Sequence, residues 1–348
     1  MGDIGQRKQD HLDLCATDEV AFRKQTNLLE CVTLVHQSLP ELSLDDLDLQ
    51  TRFLGKKLRA PIFIAAMTGG NDAAAEVNQI LSSIAEARGY GFGLGSQRAM
   101  QRAPETTWTY AVRDHAPTAL LLGNVGVVQA RALPTDALNE LVEDVGADAL
   151  CVHLNPAMEV IQPEGDRDFR GCLETLERLV NELSVPVVAK ETGSGISQRC
   201  AQQLRSVGVK HVDVSGAGGT SWVGVETLRA EKATRPLGEA LWDWGVPTAA
   251  AVAYCVSAGH ETIATGGVRS GLDVARAIAL GASAAGIARP VLQALRQGGR
   301  AGAEAYLDQV ERELATVMLL TGSRMVDDLK RAQRLIQGSL RDWLALTL

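Results

Sequence analysis

The sequence predicts an α/β fold, a (β/α)8 TIM barrel with N-terminal and C-terminal extensions, on three observations. Eight short apolar runs recur along the chain, each ending in Gly, Asn, Ser or charged residues. Their apolar character on both alternating faces suits parallel strands covered by helices. Helical patterns lie between most of them, and the motifs of interest fall at the carboxyl ends of the runs, where such barrels carry their chemistry. An open doubly wound sheet is the competing architecture; no G-x-G-x-x-G turn follows the first run to support it.

In order, the strands are read from "APIFIAAMTGG", "YGFGLGSQR", "TALLLGNVG", "ADALCVHLN", "VPVVAKETG", "VKHVDVSGAGG", "ETIATGGVR" and "SAAGIARP". The helices include "EVNQILSSIAEARG", "ALNELVEDVG", "CLETLERLVNEL", "ISQRCAQQLRSVG" and "GLDVARAIALGA". Several close with a Gly in the helix-ending place. The longest spacing follows "VDVSG"; its first half, from "GTSW", is read as a mobile loop over the site and the rest as the sixth helix. "QPEGDRDF" reads as a turn tied down by Asp166, Arg167 and Asp168. A single domain results, with the barrel core at about 61–299, an N-terminal substrate-binding extension at 1–60 and C-terminal helices at 300–348. "AEAYLDQVERELATVMLL" alternates apolar and charged positions at helical spacing and is expected to pack on the outside.

Composition narrows the function. With 46% apolar and 22% charged residues the chain is an ordinary globular one. A net charge of -8 without a basic run argues against a nucleic-acid partner. Six cysteines, none in a C-x-x-C pair, read as reduced thiols rather than a zinc site or disulfide framework. "MGDIGQRKQDHLDL" lacks the apolar core of a signal peptide and no run is long enough for a bilayer span, so the expectation is a cytoplasmic protein without a membrane partner.

The strongest local signal is "ATGGVRSGLDVARAIALGASAAGIARP". Glycines after a strand let backbone N–H groups approach an anion, and the following helix offers its positive end. Gly266, Gly267, Val268 and Arg269, with Ala288 and Arg289 from the next strand end, form the predicted phosphate cup. Ser215 and Thr220 in "DVSGAGGTSW" add hydroxyls. A phosphate there belongs to a sugar phosphate or to FMN. Met67, Thr68 and Gly69 of "MTGG", with Ser96, Asn124 and Lys190, make a ring of small residues, amides and one cation that suits a flat isoalloxazine. Lys190 has an alternative role as a Schiff-base lysine, although "AKETGSG" offers no paired Lys or obvious general acid.

Two further clusters suit an anionic substrate. Arg7, Lys8 and His11 in "QRKQDH", with Gln97 and Arg98 in "GSQRAM", are placed to meet a doubly charged phosphate group. His153 and Asn155 alternate toward one side after the fourth strand, and Glu159 follows. One carboxylate combined with substrate phosphate oxygens is a usual way to hold Mg2+.

These motifs resemble the type 2, FMN-dependent isopentenyl-diphosphate isomerases almost end to end. The likeness takes in "QRKQDHL", "MTGG", "GLGSQRA", "HLNPAMEVIQPEGDRDF", "VDVSGAGGTSW", "ATGGVRSGLDVARAIALGASAAGIARP" and "LTGSRMVDDLKRAQRLIQGSLRDWL". The resemblance implies a barrel with FMN that isomerises isopentenyl diphosphate to dimethylallyl diphosphate, with Mg2+ on the diphosphate and NADPH keeping the flavin reduced. It also implies a homo-oligomer, a tetramer or octamer. Arg7, Lys8, His11, Ser96, Gln97 and Arg98 would then bind the prenyl diphosphate, and Glu159 would hold the metal. His153 and Asn155 would line the substrate cavity. Thr68, Ser96, Asn124, Lys190, Ser215, Thr220, Gly267 and Arg289 would surround the flavin. One departure touches the chemistry: the family pattern "NPxQE" has a Gln that reaches the alkene, and this chain has Met158. A thioether does not relay a proton at neutral pH, although it packs well against an alkene or a cation. The alternatives that follow are an FMN enzyme for a different prenyl substrate, or a flavin-binding homologue with weakened isomerase activity.

Overall fold

A computed structural model describes residues 4–230 and 235–346, with side chains from Asp10 onward. Eight parallel strands close into a barrel: β1 (Ile62–Ile64), β2 (Gly91–Gly93), β3 (Leu120–Gly126), β4 (Ala149–Leu154), β5 (Val187–Glu191), β6 (His211–Asp213), β7 (Glu261–Ala264) and β8 (Ala284–Ile287). Neighbours in the chain are neighbours in the sheet, and the pairing of Ile287 with Ile64 closes the ring. The eight apolar runs of the sequence are these eight strands.

The core has two layers because each strand buries both faces. Ile62, Ile64, Leu121, Leu150, Val152 and Val212 face outward onto the helices. Phe63, Leu120, Leu122, Ala149, Cys151 and Val188 face inward and fill the barrel near the start of its strands. Phe53 is stacked on that inner layer, edge to face with Phe63 at 5.6 Å between centroids. It comes from a hairpin, Thr51–Phe53 paired with Lys56–Leu58, which stoppers the amino end of the barrel. The turn residues Leu54 and Gly55 both have positive φ (52° and 75°), the geometry that matches the twist of a two-residue hairpin. Asp148, just before β4, fastens the stopper: it accepts from Lys56 Nζ (2.6 Å), Arg113 Nη2 (2.8 Å) and Leu121 N (2.8 Å). Thus the 1–60 extension serves both ends of the barrel, and its first helix, Ile4–Cys15, alone supplies His11, Leu12 and Cys15 to the opposite mouth.

The helix Asp72–Arg88 shows how local sequence sets the limits. Asn71 accepts from Ala74 N at its start, and Gly89 at φ 63° ends it. Outside the barrel, the helix from Arg289 to Leu320 bends at Gly298 and Gly299, then packs along Gly271–Ala279. A Cβ on Gly271 would lie 2.2 Å from Val310 O, so the two helices approach only because that side chain is absent. The strand Val32–Leu34 pairs antiparallel with Arg334–Ile336 and ties the two extensions together. Among the described residues no helix is long and apolar enough to cross a membrane.

The segment after β6 differs from expectation. Trp222–Arg229 is a helix rather than a mobile loop, followed by a short helix at Arg235–Ala240 and the covering helix Thr248–Ser257. Ser221 caps the first by accepting from Gly224 N (2.9 Å). Gly224, a poor helix former, hides the helix in the sequence, yet a Cβ there would come within 2.6 Å of the Trp242 indole. Tertiary packing overrides propensity at this point.

Candidate active site

The carboxyl ends of the strands open into one cavity, roofed on one side by the N-terminal helix. At the β7 and β8 ends, Gly266 and Gly267 have φ of 102° and 75°. A Cβ on Gly266 would lie 2.2 Å from Gly216 O, one on Gly267 2.5 Å from Gly218 O, and one on Gly219 2.4 Å from Gly267 N. Two glycine loops therefore approach backbone to backbone, and both border the cavity. Arg289 is 7% exposed beside them. Its Nη1 is buried without a hydrogen bond, and the nearest carboxylate, on Asp18, is 3.9 Å away. Burial first, then the charge of Arg269, pushes its pKa below the usual guanidinium value. A buried cation with an orphaned N–H is stabilised by an anion.

The floor is laid by β3, β5 and β6. Lys190 Nζ stands 3.3 Å from Asp213 Oδ2 and donates to Glu191 O (2.9 Å), an ion pair at the strand ends. Asp213 also accepts from Thr265 Oγ1. Ser215, at φ 34°, holds a strained backbone while its Oγ accepts from Gly193 N (3.1 Å). Asn124 Nδ2 donates to Leu94 O (3.1 Å), so its Oδ1 is the atom 2.8 Å from His153 Nδ1. That acceptor places the imidazole proton on Nδ1.

The β4 end carries the polar wall. Pro156 opens the helix Pro156–Ile161, as its fixed φ favours. Glu159, 5% exposed, accepts from Asn155 Nδ2 (2.8 Å) through Oε1 and from Asp166 N (2.8 Å) through Oε2. Asp166 in turn accepts from Gln129 Nε2 (2.7 Å), while Asp168 pairs with Arg170 on the surface. Met158 lines the cavity with Sδ 3.9 Å from Asn155 Nδ2. Opposite, His11 Nε2 is 2.8 Å from Oε1 of the fully buried Glu226, whose Oε2 accepts from Arg229 (2.7 Å). Cys15 also faces the cavity; burial pushes its thiol up to about 12, with Arg289 pulling the other way, so it stays a neutral thiol rather than a nucleophile.

Most residues singled out in the sequence converge here. His11, Met67, Ser96 and Arg98 line the cavity, as do Asn124, His153, Asn155, Met158 and Glu159. So do Lys190, Ser215, Thr220 and the Gly266–Arg269 turn, with Ala288 and Arg289. Three do not. Gln97 is fully buried and turned away: its Oε1 accepts from Asn124 N (2.8 Å) and its Nε2 donates to Leu141 O (2.7 Å). It steadies Asn124 instead of meeting the substrate. Gly69 sits under the Tyr110 ring, where a Cβ would fall 2.0 Å from a ring carbon. Thr68 lies just behind the lining, its Oγ1 buried without a partner. The side chains of Arg7 and Lys8 lie outside the described residues. The cavity adds residues that the sequence reasoning passed over, notably Trp222, Gln129 and Gln162. Their signal was present for two of them: Gln162 falls one helical turn after Met158, and Trp222 follows the Ser cap.

A glycine-lined turn at the β7 and β8 ends, an ion pair under an open floor and three orphaned polar atoms, on Arg289, Arg98 and Thr68, facing or flanking the space fit a flavin mononucleotide, and the fold and site together define an FMN-dependent barrel. The model of the FMN-dependent dehydrogenase family matches residues 3–154 and 152–336. Among solved structures, a mandelate oxidase with an FMN adduct superposes with a TM-score of 0.65 at 20% identity over 93% of this chain and 95% of its own. A flavocytochrome b2 variant gives a TM-score of 0.68 at 19% identity over 99% and 85%. These likenesses show the fold alone.

Closer relatives narrow it. The isopentenyl-diphosphate delta-isomerase of Methanothermobacter thermautotrophicus is 45% identical over 343 residues, 98% of this chain and 96% of its own length. That of a Nostoc species is 44% identical over 330 residues, 94% of each. The chain belongs to the isopentenyl-diphosphate delta-isomerase family, a branch of the FMN-dependent barrels.

Proposed function

We propose that the protein converts isopentenyl diphosphate to dimethylallyl diphosphate, with FMN, Mg2+ on the substrate diphosphate, and NADPH as the source of the reduced flavin. The observation that supports this function is the meeting of two polar walls across one cavity: Gly266, Gly267 and Arg289 on one side, and on the other the cation of Arg98 with the carboxylate of Glu159, which would meet an anion through a bridging metal ion. One wall suits the FMN phosphate and the other a second, doubly charged ligand. Bound in its reduced form, FMN supplies an electron-rich ring able to exchange a proton with an alkene. Lys190 would stand at the ring's edge and, charged, favour an anionic reduced flavin. Ser96 and Thr220 would hydrogen-bond the cofactor.

Glu159 would hold Mg2+, since among the described residues it is the acidic side chain that lines the cavity. One protein carboxylate plus phosphate oxygens is a Mg2+ arrangement. Arg98, with a buried Nε lacking a partner, would grip the diphosphate. Asn155 fixes Glu159, and Asn124 fixes the His153 ring, so both groups are oriented before substrate arrives. The His11, Leu12 and Trp222 side chains cover the mouth and exclude water that would quench a developing tertiary cation. In this function the protein is cytoplasmic and homo-oligomeric.

Met158 favours a second reading, an FMN enzyme of the same barrel acting on a different prenyl substrate or retaining weak isomerase activity. Anaerobic reduction of the FMN-loaded protein, followed by isopentenyl diphosphate and Mg2+ and NMR of the products, separates them. Dimethylallyl diphosphate is the expected product; its absence with the flavin fully loaded and reduced rejects the isomerase.

A further inference from the structure

Gln162 ends the helix Pro156–Ile161, four residues after Met158 and three after Glu159. That spacing places Met158 and Gln162 on one helix face, and both line the cavity. Gln162 is 5% exposed. Its backbone is satisfied, since its N–H donates to Met158 O (3.1 Å) and its carbonyl accepts from Gly165 N (3.0 Å). Its side chain is not: no hydrogen bond reaches the amide among the described residues. The nearby polar groups are engaged elsewhere, Asn155 with Glu159 and Gln129 with Asp166.

An amide brings two N–H donors and an acceptor oxygen, and the Gln162 side chain, which makes no protein hydrogen bond, borders the cavity. A ligand that displaces water from that wall must pair with the amide or leave it unsatisfied, at about 1–3 kcal/mol. We propose that Gln162 is a substrate-contacting residue, supplying from one helical turn further on the polar contact to the reacting end of the prenyl diphosphate that Met158 cannot make. This rests on the isomerase function proposed above. The amide is not acidic at neutral pH, so its part is electrostatic: its oxygen faces the carbon that gains positive charge, and its dipole stabilises that charge more than it stabilises the neutral alkene. Met158, soft and polarisable, packs against the same carbon skeleton. The pair thus divides between two positions what one polar residue at 158 does in the family pattern.

Exchanging the two side chains tests this. Gln162→Met keeps length and volume, with Gln162→Leu as a second variant, and the double variant Met158→Gln/Gln162→Met swaps the pair. Each is loaded with FMN, and circular dichroism and flavin content verify folding. For Gln162→Met, kcat is expected to fall about tenfold to a hundredfold, a loss on the scale of one transition-state hydrogen-bonding group. Calorimetry of isopentenyl diphosphate on the oxidised protein should show Kd within about threefold of wild type, because the contact matters only as charge develops. The swap should regain most of the lost kcat. Unchanged kcat in both single variants overturns the proposal, as does a loss confined to Kd or a swap no faster than Gln162→Met. A wild-type protein that yields no dimethylallyl diphosphate overturns the isomerase function and this role with it, whereas an active wild type matched by its variants overturns this role alone.

Discussion

His11 Nε2 lies 2.8 Å from Glu226 Oε1, a bond between the N-terminal helix and a carboxylate with no exposure to solvent. The His11 ring also meets Trp222 edge to face at 5.2 Å, and Arg229 holds the other Glu226 oxygen while reaching Asp10. The helix that roofs the cavity is therefore fastened through one buried acid.

Glu226→Gln should loosen that fastening. Removing the charge takes away the buried carboxylate that Arg229 and His11 share while Arg229 keeps its contact to Asp10 (3.3 Å), a change expected to cost about 1–3 kcal/mol. The expected outcome is faster proteolytic cleavage within the first fifteen residues and a KM for isopentenyl diphosphate raised more than tenfold, with FMN affinity held within about threefold. Limited proteolysis and steady-state kinetics on the FMN-loaded protein check it, and a variant as resistant as wild type would show that the helix docks by other contacts.

Glu159→Gln keeps the shape of the Asn155 and Asp166 contacts in part but removes the only carboxylate charge they hold. The Mg2+ concentration giving half-maximal activity should rise at least about tenfold, the scale of a lost metal ligand or its support. Isothermal titration of Mg2+ together with a non-reacting diphosphate gives an independent reading. Equal Mg2+ dependence in variant and wild type assigns the ion to other groups.

Gly266→Ala forces a Cβ to within 2.2 Å of Gly216 O at a φ of 102°. The glycine loops must part, and the N–H groups they present move with them. The protein should purify folded by circular dichroism but with FMN affinity weakened about a hundredfold or more, seen as loss of flavin absorbance on dialysis. Retained yellow colour would place the phosphate elsewhere.

Asp148 gives a pH dependence with a definite sign. Burial raises its pKa, but the Leu121 N–H, Lys56 and Arg113 together outweigh burial and hold it below the ordinary carboxylate value. A depressed folded pKa adds stability that is present above the unfolded value and is lost as pH falls through the folded one. Asp148→Asn should therefore cost about 1–3 kcal/mol in urea unfolding at pH 7, and the gap to wild type should close below about pH 4. A gap that stays constant from pH 7 to pH 3 contradicts it.

The barrel was legible because its strands are buried on both faces, so each reads as a largely apolar block; "LLLGNVG" and "AAGI" are buried along their whole length. The glycine turn after β7 was legible because Gly266 and Gly267 answer a backbone requirement, positive φ and a close approach to Gly216 and Gly218. Less legible was side-chain direction just beyond a strand end. Ser96, Gln97 and Arg98 are consecutive, yet the chain turns there and sends Gln97 back to Asn124. The helix at Trp222 escaped because Gly224 lowers its propensity for a packing reason, the Trp242 ring, that lies eighteen residues away. Gln162 was passed over although its spacing from Met158 was visible, because the sequence does not show that the helix Pro156–Ile161 turns both side chains to the cavity.

The Phe53 stopper has a consequence for traffic. With the amino end of the barrel plugged by an aromatic side chain packed on Phe63, the cavity formed by the described residues lies at the carboxyl end, beside the N-terminal helix. A flavin seated on the barrel floor would then lie below any second ligand, and both would use that same opening.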